Sequence, residues 1–164
     1  MTDTSHIYAL ALGSNRPLSA RRTPARLLAE AAALIGAEAR LIAVSPLFTT
    51  APLGPSSRFF ANAALLVESA LPPPAMLARL QAVEARLGRR RHRRWGARSM
   101  DIDILLWSGG VWRSRTLVVP HPAFRVRAFV LDPLVAIGAD WRDPVTGLTV
   151  RHLRARLQKA RANG

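Results

Sequence analysis

The sequence predicts an α+β protein with the ferredoxin-like split βαβ arrangement, in the order strand, helix, strand, strand, helix, strand. Short apolar runs alternate with two longer segments rich in alanine and leucine. Each longer segment is preceded by proline and followed by glycine, as helices commonly are. We therefore expect a mainly antiparallel four-stranded sheet with both helices on one face, extended by a C-terminal hairpin and further helices.

Local signals place each element of this order. Thr23 and Pro24 make a favourable helix start, and Gly36 is a natural helix end. Pro46 restricts the second strand to an edge or a bulge because proline cannot donate a backbone hydrogen bond. The predicted elements are strand Ile7–Leu12, helix Ala25–Ile35, strand Leu41–Phe48, strand Ala61–Glu68, helix Ala75–Leu87 and strand Met100–Leu106. A loop, Thr49–Phe60, joins the second and third strands.

The C-terminal third predicts shorter elements. Gly109-Gly110 marks a hairpin turn, and Pro133 is expected to interrupt a helix that begins near Arg127. Thr149 is suited to cap the last helix, after which the tail is expected to be frayed. The remaining predicted elements are strand Leu117–Val119, the partly helical segment Arg127–Ile137, a turn at Asp143–Gly147 and helix Val150–Leu157.

Length and composition indicate one globular domain that spans residues 1–164. The chain has 164 residues, of which 49% are hydrophobic and 21% are charged. It has no cysteine, which excludes disulfides and thiolate metal sites. The N-terminus resembles neither a secretory signal nor a transit peptide, and no apolar run approaches the length of a membrane span. We therefore expect a cytoplasmic protein.

The formal net charge of +14 favours attraction to polyanions. Of the 24 basic residues, all except Lys159 are arginine. Such a bias is consistent with codon usage across a whole genome, so the overall charge is weak support for a function. A local cluster is more informative: arginines occupy positions 86, 89, 90, 91, 93, 94 and 98 with no acidic residue among them.

Directly after this cluster, the strand Met100–Leu106 carries Asp101 and Asp103. Side chains two apart on a strand point to the same face, so the two carboxylates project together with Cα atoms roughly 6.6 Å apart. Such a pair is costly unless a cation lies between the carboxylates. Mg²⁺ takes oxygen ligands and commonly shares them with substrate phosphates, while arginines bind further phosphate oxygens. The residue types thus favour polyphosphate chemistry.

Two simpler interpretations compete with a metal and phosphate site. A buried Asp-x-Asp can form a structural ion pair with nearby arginines. An arginine run can be a solvated loop or an RNA-binding patch. Glu84, near the edge of the apolar face of the second helix, is either a partner for the arginines or a solvated residue.

The order of several motifs separates these interpretations. The segment Arg94–Leu105, with sequence RWGARSMDIDIL, closely resembles the signature of 6-hydroxymethyl-7,8-dihydropterin pyrophosphokinase, an enzyme family of the folate pathway. The other matching motifs are Gly13-Ser14-Asn15, Thr50-Ala51-Pro52-Leu53-Gly54, Phe60-Ala61-Asn62-Ala63, Pro120-His121-Pro122 and the segment from Arg127 to Leu134. The resemblance extends from about Ile7 to Leu157. Ala51 and Val118 depart from residues that relatives often carry.

The resemblance implies an enzyme that transfers diphosphate from ATP to the hydroxymethyl group of 6-hydroxymethyl-7,8-dihydropterin. Asp101 and Asp103 would bind two Mg²⁺ ions, and Arg89 and Arg98 would stabilise charge in the transition state. The residues implied to hold ATP are Gln81, Arg91, Trp95, Ile104 through its backbone, His121 and Arg127. The residues implied to hold the pterin are Thr50, Leu53, Phe60, Asn62 and Phe129.

The residue chemistry agrees with these roles. A flat pterin needs aromatic walls, for which Phe60 and Phe129 are candidates, and Asn62 offers both a donor and an acceptor. Taken alone, either phenylalanine is also an ordinary core residue. The alternative function is a non-catalytic, RNA-binding ferredoxin-like module. We expect small-molecule substrates, no nucleic-acid or membrane partner, and a monomeric chain.

Overall fold

The computed structural model describes residues 4–15, 21–50, 60–88 and 100–164. The strands are β1 (His6–Ser14), β2 (Arg40–Val44), β3 (Phe48–Thr50), β4 (Phe60–Ser69), β5 (Asp101–Trp107), β6 (Trp112–Arg113) and β7 (Val118–Val119). The helices are α1 (Pro24–Gly36), α2 (Pro73–Arg86), α3 (Ala128–Gly138) and α4 (Val150–Ala162), with a 3₁₀ turn at Phe124–Val126. Among these residues, the helices are all too short or too polar to cross a bilayer.

The main sheet confirms the predicted ferredoxin-like topology. Its strand order is β2-β4-β1-β5, and β3 also pairs with β4. Every pairing in the sheet is antiparallel. The first and third strands of the split βαβ unit, β1 and β4, are therefore central, as this arrangement requires. A separate two-stranded sheet joins β6 to β7.

The alternation of side chains along β1 and β4 divides the core into two layers. Tyr8, Leu10 and Leu12 of β1 point to one face, where they pack with the apolar sides of α1 and α2. Ala9 points to the other face, which α3 and α4 cover. A fully buried leucine contributes roughly 1.5–3 kcal/mol to folding, so both layers stabilise the sheet substantially. The C-terminal helices thus close the face that the split βαβ unit leaves open.

Several predicted helix boundaries are confirmed by their capping contacts. The hydroxyl of Thr23 accepts from the backbone N–H of Arg26 at 3.4 Å. Thr149 caps α4 in the same way, accepting from the N–H of His152 at 3.2 Å. After α2, Gly88 has a positive φ of 83°, a conformation that glycine adopts without strain. The predicted C-cap at Gly36 is one residue early, because Gly36 is the last helical residue and Ala37 follows as the cap.

The predicted single strand Leu41–Phe48 is wrong, since two strands, β2 and β3, occupy the region around it. Between them, Ser45 keeps a backbone bond to β4 by donating its N–H to the carbonyl of Ala64 at 2.9 Å. The Ser45 hydroxyl then accepts the N–H of Ala64 at 2.8 Å. Pro46 follows without a donor of its own. The edge position inferred from Pro46 is correct, and the proline ends β2 rather than forming a bulge within a longer strand.

Two predictions for the C-terminal helices are also wrong. Helix α3 continues through Pro133, which is buried, instead of being interrupted there. Proline removes one helical hydrogen bond, but packing of the apolar residues around it against the sheet keeps the helix intact. Helix α4 extends to Ala162 rather than ending at Leu157. Residues 158–162 include good helix formers and no glycine or proline, so nothing ends the helix earlier.

Tyr8 links the sheet to the turn that precedes α2. Its side chain is fully buried, and its hydroxyl donates to the backbone carbonyl of Leu71. Burial raises the pKa of Tyr8 to about 12. Because the folded state resists ionisation of this phenol, the corresponding stability is complete below the unfolded pKa of about 10. That stability is lost as the pH rises through about 12.

Replacement Tyr8→Phe should lower the free energy of unfolding by about 1–2 kcal/mol, because the Leu71 carbonyl loses its donor. Denaturant unfolding at neutral pH would measure this change. The chain has a single tyrosine, so tyrosinate absorbance in an alkaline titration reports on Tyr8 alone. A normal tyrosine titration near pH 10 in the folded protein would contradict the proposed burial and hydrogen bond.

Candidate active site

Three polar or glycine positions form a row across the central strands, on the face that α3 and α4 partly cover. Gly13 of β1 pairs with Asn62 of β4 on one side and with Asp101 of β5 on the other. Residues paired in register across an antiparallel sheet point to the same face. Asn62 and Asp101 therefore flank Gly13 at a Cα separation of roughly 9–10 Å, which is two strand spacings.

The Asn62 side chain is oriented by Thr50. Its amide nitrogen donates to the Thr50 hydroxyl at 3.1 Å, and its residue is only 5% exposed. The Asn62 carbonyl oxygen lies toward Gly13: a Cβ atom added to Gly13 would approach that oxygen to 3.3 Å. Gly13 thus leaves a gap in the row, and a buried acceptor borders that gap.

Asp101 and Asp103 lie on this same face, as the strand pattern predicts. Ile102 and Ile104 alternate with them and point into the opposite layer, against α1 and α2. Both aspartates are half-buried. Two carboxylates this close on one rigid strand favour the binding of a cation.

Glu84 of α2 contacts the strand between the two aspartates. Its carboxylate accepts the backbone N–H of Ile102 at 3.3 Å, and the residue is only 2% exposed. The interpretation of Glu84 as a solvated residue is therefore wrong. Its other interpretation, as a partner for the arginine cluster, concerns residues that lie outside the described ranges. The contact with Ile102 fixes the backbone of the segment that carries the aspartate pair.

His121 approaches the aspartates from the segment that follows β7. Its backbone N–H donates to the carbonyl of Leu105 on β5 at 2.9 Å. Burial lowers the pKa of the His121 imidazole, and nearby Arg127 lowers it further, whereas Asp103 and, less strongly, Asp101 raise it. The net pKa lies below the ordinary value, so the neutral imidazole predominates at pH 7.

The hydrogen bonds of His121 also decide its tautomer. The backbone N–H of Ala123 donates to Nδ1 at 3.1 Å. A neutral imidazole that accepts at Nδ1 carries its proton on Nε2. His121 therefore offers an N–H donor at Nε2, which suits a phosphate oxygen without adding a formal positive charge.

Arg127 and Phe129 lie at the start of α3, and Arg127 is close enough to His121 to lower the pKa of its imidazole. The Arg127 guanidinium lies 5.8 Å from the centroid of the Phe129 ring. Phe129 is half-buried and packs partly against the C-terminal core layer, and Phe60 is also half-buried at the start of β4. Both phenylalanines are thus partly exposed, unlike fully buried core residues such as Phe124.

Two predicted ATP contacts lie apart from this group. Gln81 is exposed on α2, which packs against the opposite face of the sheet. Ile104 buries its side chain in that opposite layer, although its backbone lies next to Leu105, which accepts the His121 N–H. Five further predicted site residues lie outside the described ranges: Leu53, Arg89, Arg91, Trp95 and Arg98.

The described residues contain no group of three or more histidine, aspartate or glutamate side chains that could hold a metal ion. The candidate metal site is therefore a pair, Asp101 and Asp103. A pair of carboxylates fits Mg²⁺, which retains waters and takes its remaining ligands from substrate phosphates.

Sequence reasoning missed two features of this site. It matched Gly13 to a motif without a physical reason, and the sheet register supplies one, namely the gap between Asn62 and Asp101. It also missed that Glu84 binds the strand backbone at Ile102. A charged residue on the apolar side of a helix was the available signal for Glu84, but only the packing of α2 on β5 identifies its partner.

A ferredoxin-like sheet with an aspartate pair, a neutral histidine and an arginine at one end defines the class of the protein, a small α+β phosphoryl-transfer enzyme. Comparison with known protein families agrees with this class. The family model described as 7,8-dihydro-6-hydroxymethylpterin-pyrophosphokinase (HPPK) matches residues 9–139. The chain belongs to this family and is a diphosphotransferase of folate biosynthesis.

Individual relatives support this assignment. Two proteins named 2-amino-4-hydroxy-6-hydroxymethyldihydropteridine pyrophosphokinase are similar to the chain. The one from Pseudomonas aeruginosa is 44% identical over 108 residues, which are 65% of this chain and 67% of the relative. The one from Methylorubrum extorquens is 41% identical over 119 residues, which are 72% of this chain and 74% of the relative.

Solved structures support the fold alone. The wild-type HPPK-DHPS of Plasmodium falciparum, crystallised with pteroate, matches with a TM-score of 0.75 at 14% identity. The match covers 98% of this chain and 46% of that one, so the chain spans about half the length of that protein.

Replacement Gly13→Ala should reduce turnover by at least about tenfold, because the new methyl group would fill the gap between Asn62 and Asp101. The melting temperature should change little, since φ at Gly13 is not in the left-handed region and Asn62 needs to move by only tenths of an ångström. Gly36→Ala, at the end of α1, is a matched control in which an added Cβ would make only ordinary contacts of 3.8 Å. Equal activities of the two variants would show that the gap is not part of the site.

Proposed function

We propose that the chain catalyses the ATP-dependent transfer of diphosphate to 6-hydroxymethyl-7,8-dihydropterin, acting as a monomer on these small-molecule substrates. The observation that carries this proposal is the convergence of Asp101, Asp103, His121 and Arg127 next to the gap at Gly13. These groups supply the charges and donors that a nucleotide polyphosphate requires. The names of the relatives supply the pterin substrate.

The reaction forms one bond and breaks one bond at the β-phosphorus of ATP. The hydroxymethyl oxygen of the pterin attacks that phosphorus, and the bond to the oxygen that bridges the α- and β-phosphates breaks. The hydroxyl proton is released, AMP leaves, and the product is the pterin diphosphate. Such a transfer depends mainly on positioning and on stabilising charge, so a dedicated basic side chain is not required.

Asp101 and Asp103 are the residues that would hold two Mg²⁺ ions. Bound Mg²⁺ neutralises phosphate charge and lowers the pKa of a coordinated hydroxyl. The half-buried aspartates are fixed by β5, whose backbone Glu84 holds at Ile102. This rigidity keeps both carboxylates on one side of the strand in the absence of substrate.

His121 and Arg127 would hold the ATP phosphates. His121 presents its Nε2–H as a donor because Ala123 occupies Nδ1. Arg127 adds a permanent positive charge from the first residue before α3. Family resemblance adds Arg91, Trp95, Gln81 and the backbone of Ile104 to the ATP site, and it assigns transition-state stabilisation to Arg89 and Arg98.

The other end of the row would hold the pterin. Asn62 directs its carbonyl oxygen toward the gap while Thr50 holds its amide nitrogen, so an N–H group of the pterin edge would meet a fixed acceptor. Phe60 and Phe129 are the candidate aromatic walls, and Leu53 is assigned to this site by resemblance. Gly13, between Asn62 and Asp101, separates the pterin end from the phosphate end.

The alternative function, RNA binding through the sheet, lacks support in the described structure. RNA-binding sheets of this fold use exposed aromatic residues on the strands. The large exposed apolar residues on the edge strand β2 are instead aliphatic: Leu41, Ile42 and Val44. The face that could serve as a platform is covered in part by α3 and α4.

Replacement of Asp101 or Asp103 by alanine should abolish diphosphate transfer, measured as AMP formed from ATP in the presence of the pterin. The melting temperature of the metal-free protein should barely fall, since each change relieves repulsion between the carboxylates. Asp140→Ala is a suitable control, because Asp140 is exposed and pairs with the exposed Arg151 at 3.1 Å. Near-normal turnover of either site variant would refute the metal assignment, and unfolding would favour a structural ion pair instead.

Replacement of Phe60 or Phe129 by alanine should weaken pterin binding by roughly 1–3 kcal/mol through lost burial and stacking. The affinity for Mg-ATP should change much less. Calorimetric titration of each variant with both ligands would measure the difference. Equal losses for the two ligands would indicate that the phenylalanines are only part of the core.

A further inference from the structure

A largely buried ion pair joins Arg125 to Asp143, and Arg125 lies in the chain between the two proposed phosphate ligands His121 and Arg127. The Arg125 guanidinium donates to both carboxylate oxygens of Asp143, from Nε at 2.5 Å and from Nη2 at 2.9 Å. The Asp143 side chain is 0% exposed and the Arg125 side chain is 25% exposed. A two-point contact of this kind fixes orientation as well as distance.

Arg125 belongs to the short segment that carries both proposed phosphate ligands. It lies in the 3₁₀ turn Phe124–Val126, four residues after His121 and two residues before Arg127. Beneath it, the ring of Phe124 is fully buried, and the Arg125 guanidinium lies 4.8 Å from the ring centroid. The carbonyl of Arg127 accepts the N–H groups of Val130 and Leu131 at 3.1 and 3.0 Å, which begins α3. The segment is therefore held at its start by the bond from His121 to Leu105 and at α3 by hydrogen bonds. In its middle it is held by the buried ring of Phe124 and by Arg125.

Asp143 belongs to a rigid turn between α3 and α4. Its backbone N–H donates to the carbonyl of Leu148 at 2.8 Å, and its carbonyl accepts the N–H of Gly147 at 2.8 Å. Its carboxylate accepts further from the N–H of Val145 at 3.0 Å and from the hydroxyl of Thr146 at 2.8 Å. Asp143 is thus fixed in place by its own turn, and Arg125 connects this turn to the segment that carries His121 and Arg127.

We propose that Arg125 is a positioning residue: anchored on Asp143, it holds the segment 121–127 so that His121 and Arg127 both face the phosphates of the nucleotide. This inference rests on the proposed function, in which those two residues bind ATP. Arg125 acts through the backbone of the segment and not by touching the substrate.

A specific pattern of kinetic constants would distinguish positioning from simple stabilisation. In Asp143→Asn, the side-chain oxygen can still accept from the Val145 N–H, and the side-chain amide nitrogen can donate to the Thr146 hydroxyl. The turn therefore keeps both contacts while the charge opposite Arg125 is lost. Arg125→Gln removes the two-point contact from the other side. Both variants should raise the KM for ATP by about tenfold or more, as the loss of an orienting partner behind a ligand commonly does. The KM for the pterin should rise much less, since Thr50 and Asn62 lie on β3 and β4, and Phe129, although close to the segment, lies within helix α3.

The control is Asp132→Asn, which breaks a different ion pair, the one between Asp132 of α3 and Arg154 of α4. Asp132 of α3 accepts from Arg154 of α4 at 2.7 Å, and neither residue belongs to the segment 121–127. This variant should leave both KM values unchanged. If Arg125→Gln lowers the melting temperature but alters the KM for ATP no more than Asp132→Asn does, or alters both KM values equally, the pair is only structural and the inference is overturned.

Combining these changes with His121→Ala distinguishes a failure of this inference from a failure of the proposed function. His121→Ala should itself raise the KM for ATP, and adding Asp143→Asn to it should cost less than in the unmodified protein, because one of the positioned groups is already absent. If His121→Ala leaves the KM for ATP unchanged, the proposed ATP site is wrong whatever Arg125 does. If His121→Ala raises it and the Asp143→Asn effect is fully additive, only the positioning role is overturned.

Arg125→Lys retains one charged donor, so its KM for ATP should fall between those of Arg125→Gln and the unmodified protein. It replaces Arg125→Gln if that variant does not fold.

Discussion

The antiparallel pairing of β1 with both of its neighbours determines where every candidate group of the sheet lies. Successive side chains of a strand point to opposite faces, so a fixed register assigns each residue to one layer. Leu10 and Leu12 require the layer under α1 and α2, and this places Ala11 and Gly13 on the other face. Since Gly13 pairs with Asn62 and with Asp101, burial of the leucines also places the amide and the carboxylate on this same face, one on each side of Gly13. A slip of one residue would bury Asp101 and expose Ile102.

The same register explains how an irregular β5 serves both layers. Ile104 pairs with Leu10 and Leu106 pairs with Ala9, so Leu105 is an extra residue on β5. Such a bulge lets two consecutive residues, Leu105 and Leu106, contribute to the layer under α3 and α4. The bulge lies just beyond the aspartates, and the Leu105 carbonyl accepts the N–H of His121. A departure from regular pairing thus accompanies the attachment of the segment that completes the site.

The many charges of the protein contribute unequally to its structure. Pairs such as Arg79 with Glu38 have more than half of each side chain exposed and add little to stability. The Arg125 and Asp143 pair differs because its carboxylate is fully buried. Burial raises the pKa of the Asp143 carboxyl, but the hydrogen bonds from Arg125, Thr146 and Val145 outweigh this effect, and the net pKa lies below its usual range. The stabilisation is therefore present above the unfolded pKa of about 3.9 and is lost as the pH falls through the folded value.

The sequence by itself determined the order of the elements, the helix starts at Thr23 and Thr149, and the strand that carries Asp101 and Asp103. These follow from local rules, since capping, glycine and proline geometry and the period of a strand act over a few residues. Local rules failed at Pro46 and Pro133, where the backbone also responds to partners distant in sequence. Ser45 bonds to Ala64 beside the first proline, and packing against the sheet carries α3 through the second.

Only the tertiary structure decided which residues meet. It placed His121 and Arg127 beside the aspartates, aligned Asn62 with Gly13, and showed that Glu84 binds the backbone between Asp101 and Asp103. Family motifs had named most of these residues, but a motif gives membership and not geometry. The tertiary structure also joined Arg125 to Asp143, two residues that no motif had singled out. Contacts between residues far apart in the chain depend on sheet register and layer packing, which are properties of the whole fold and not of any segment.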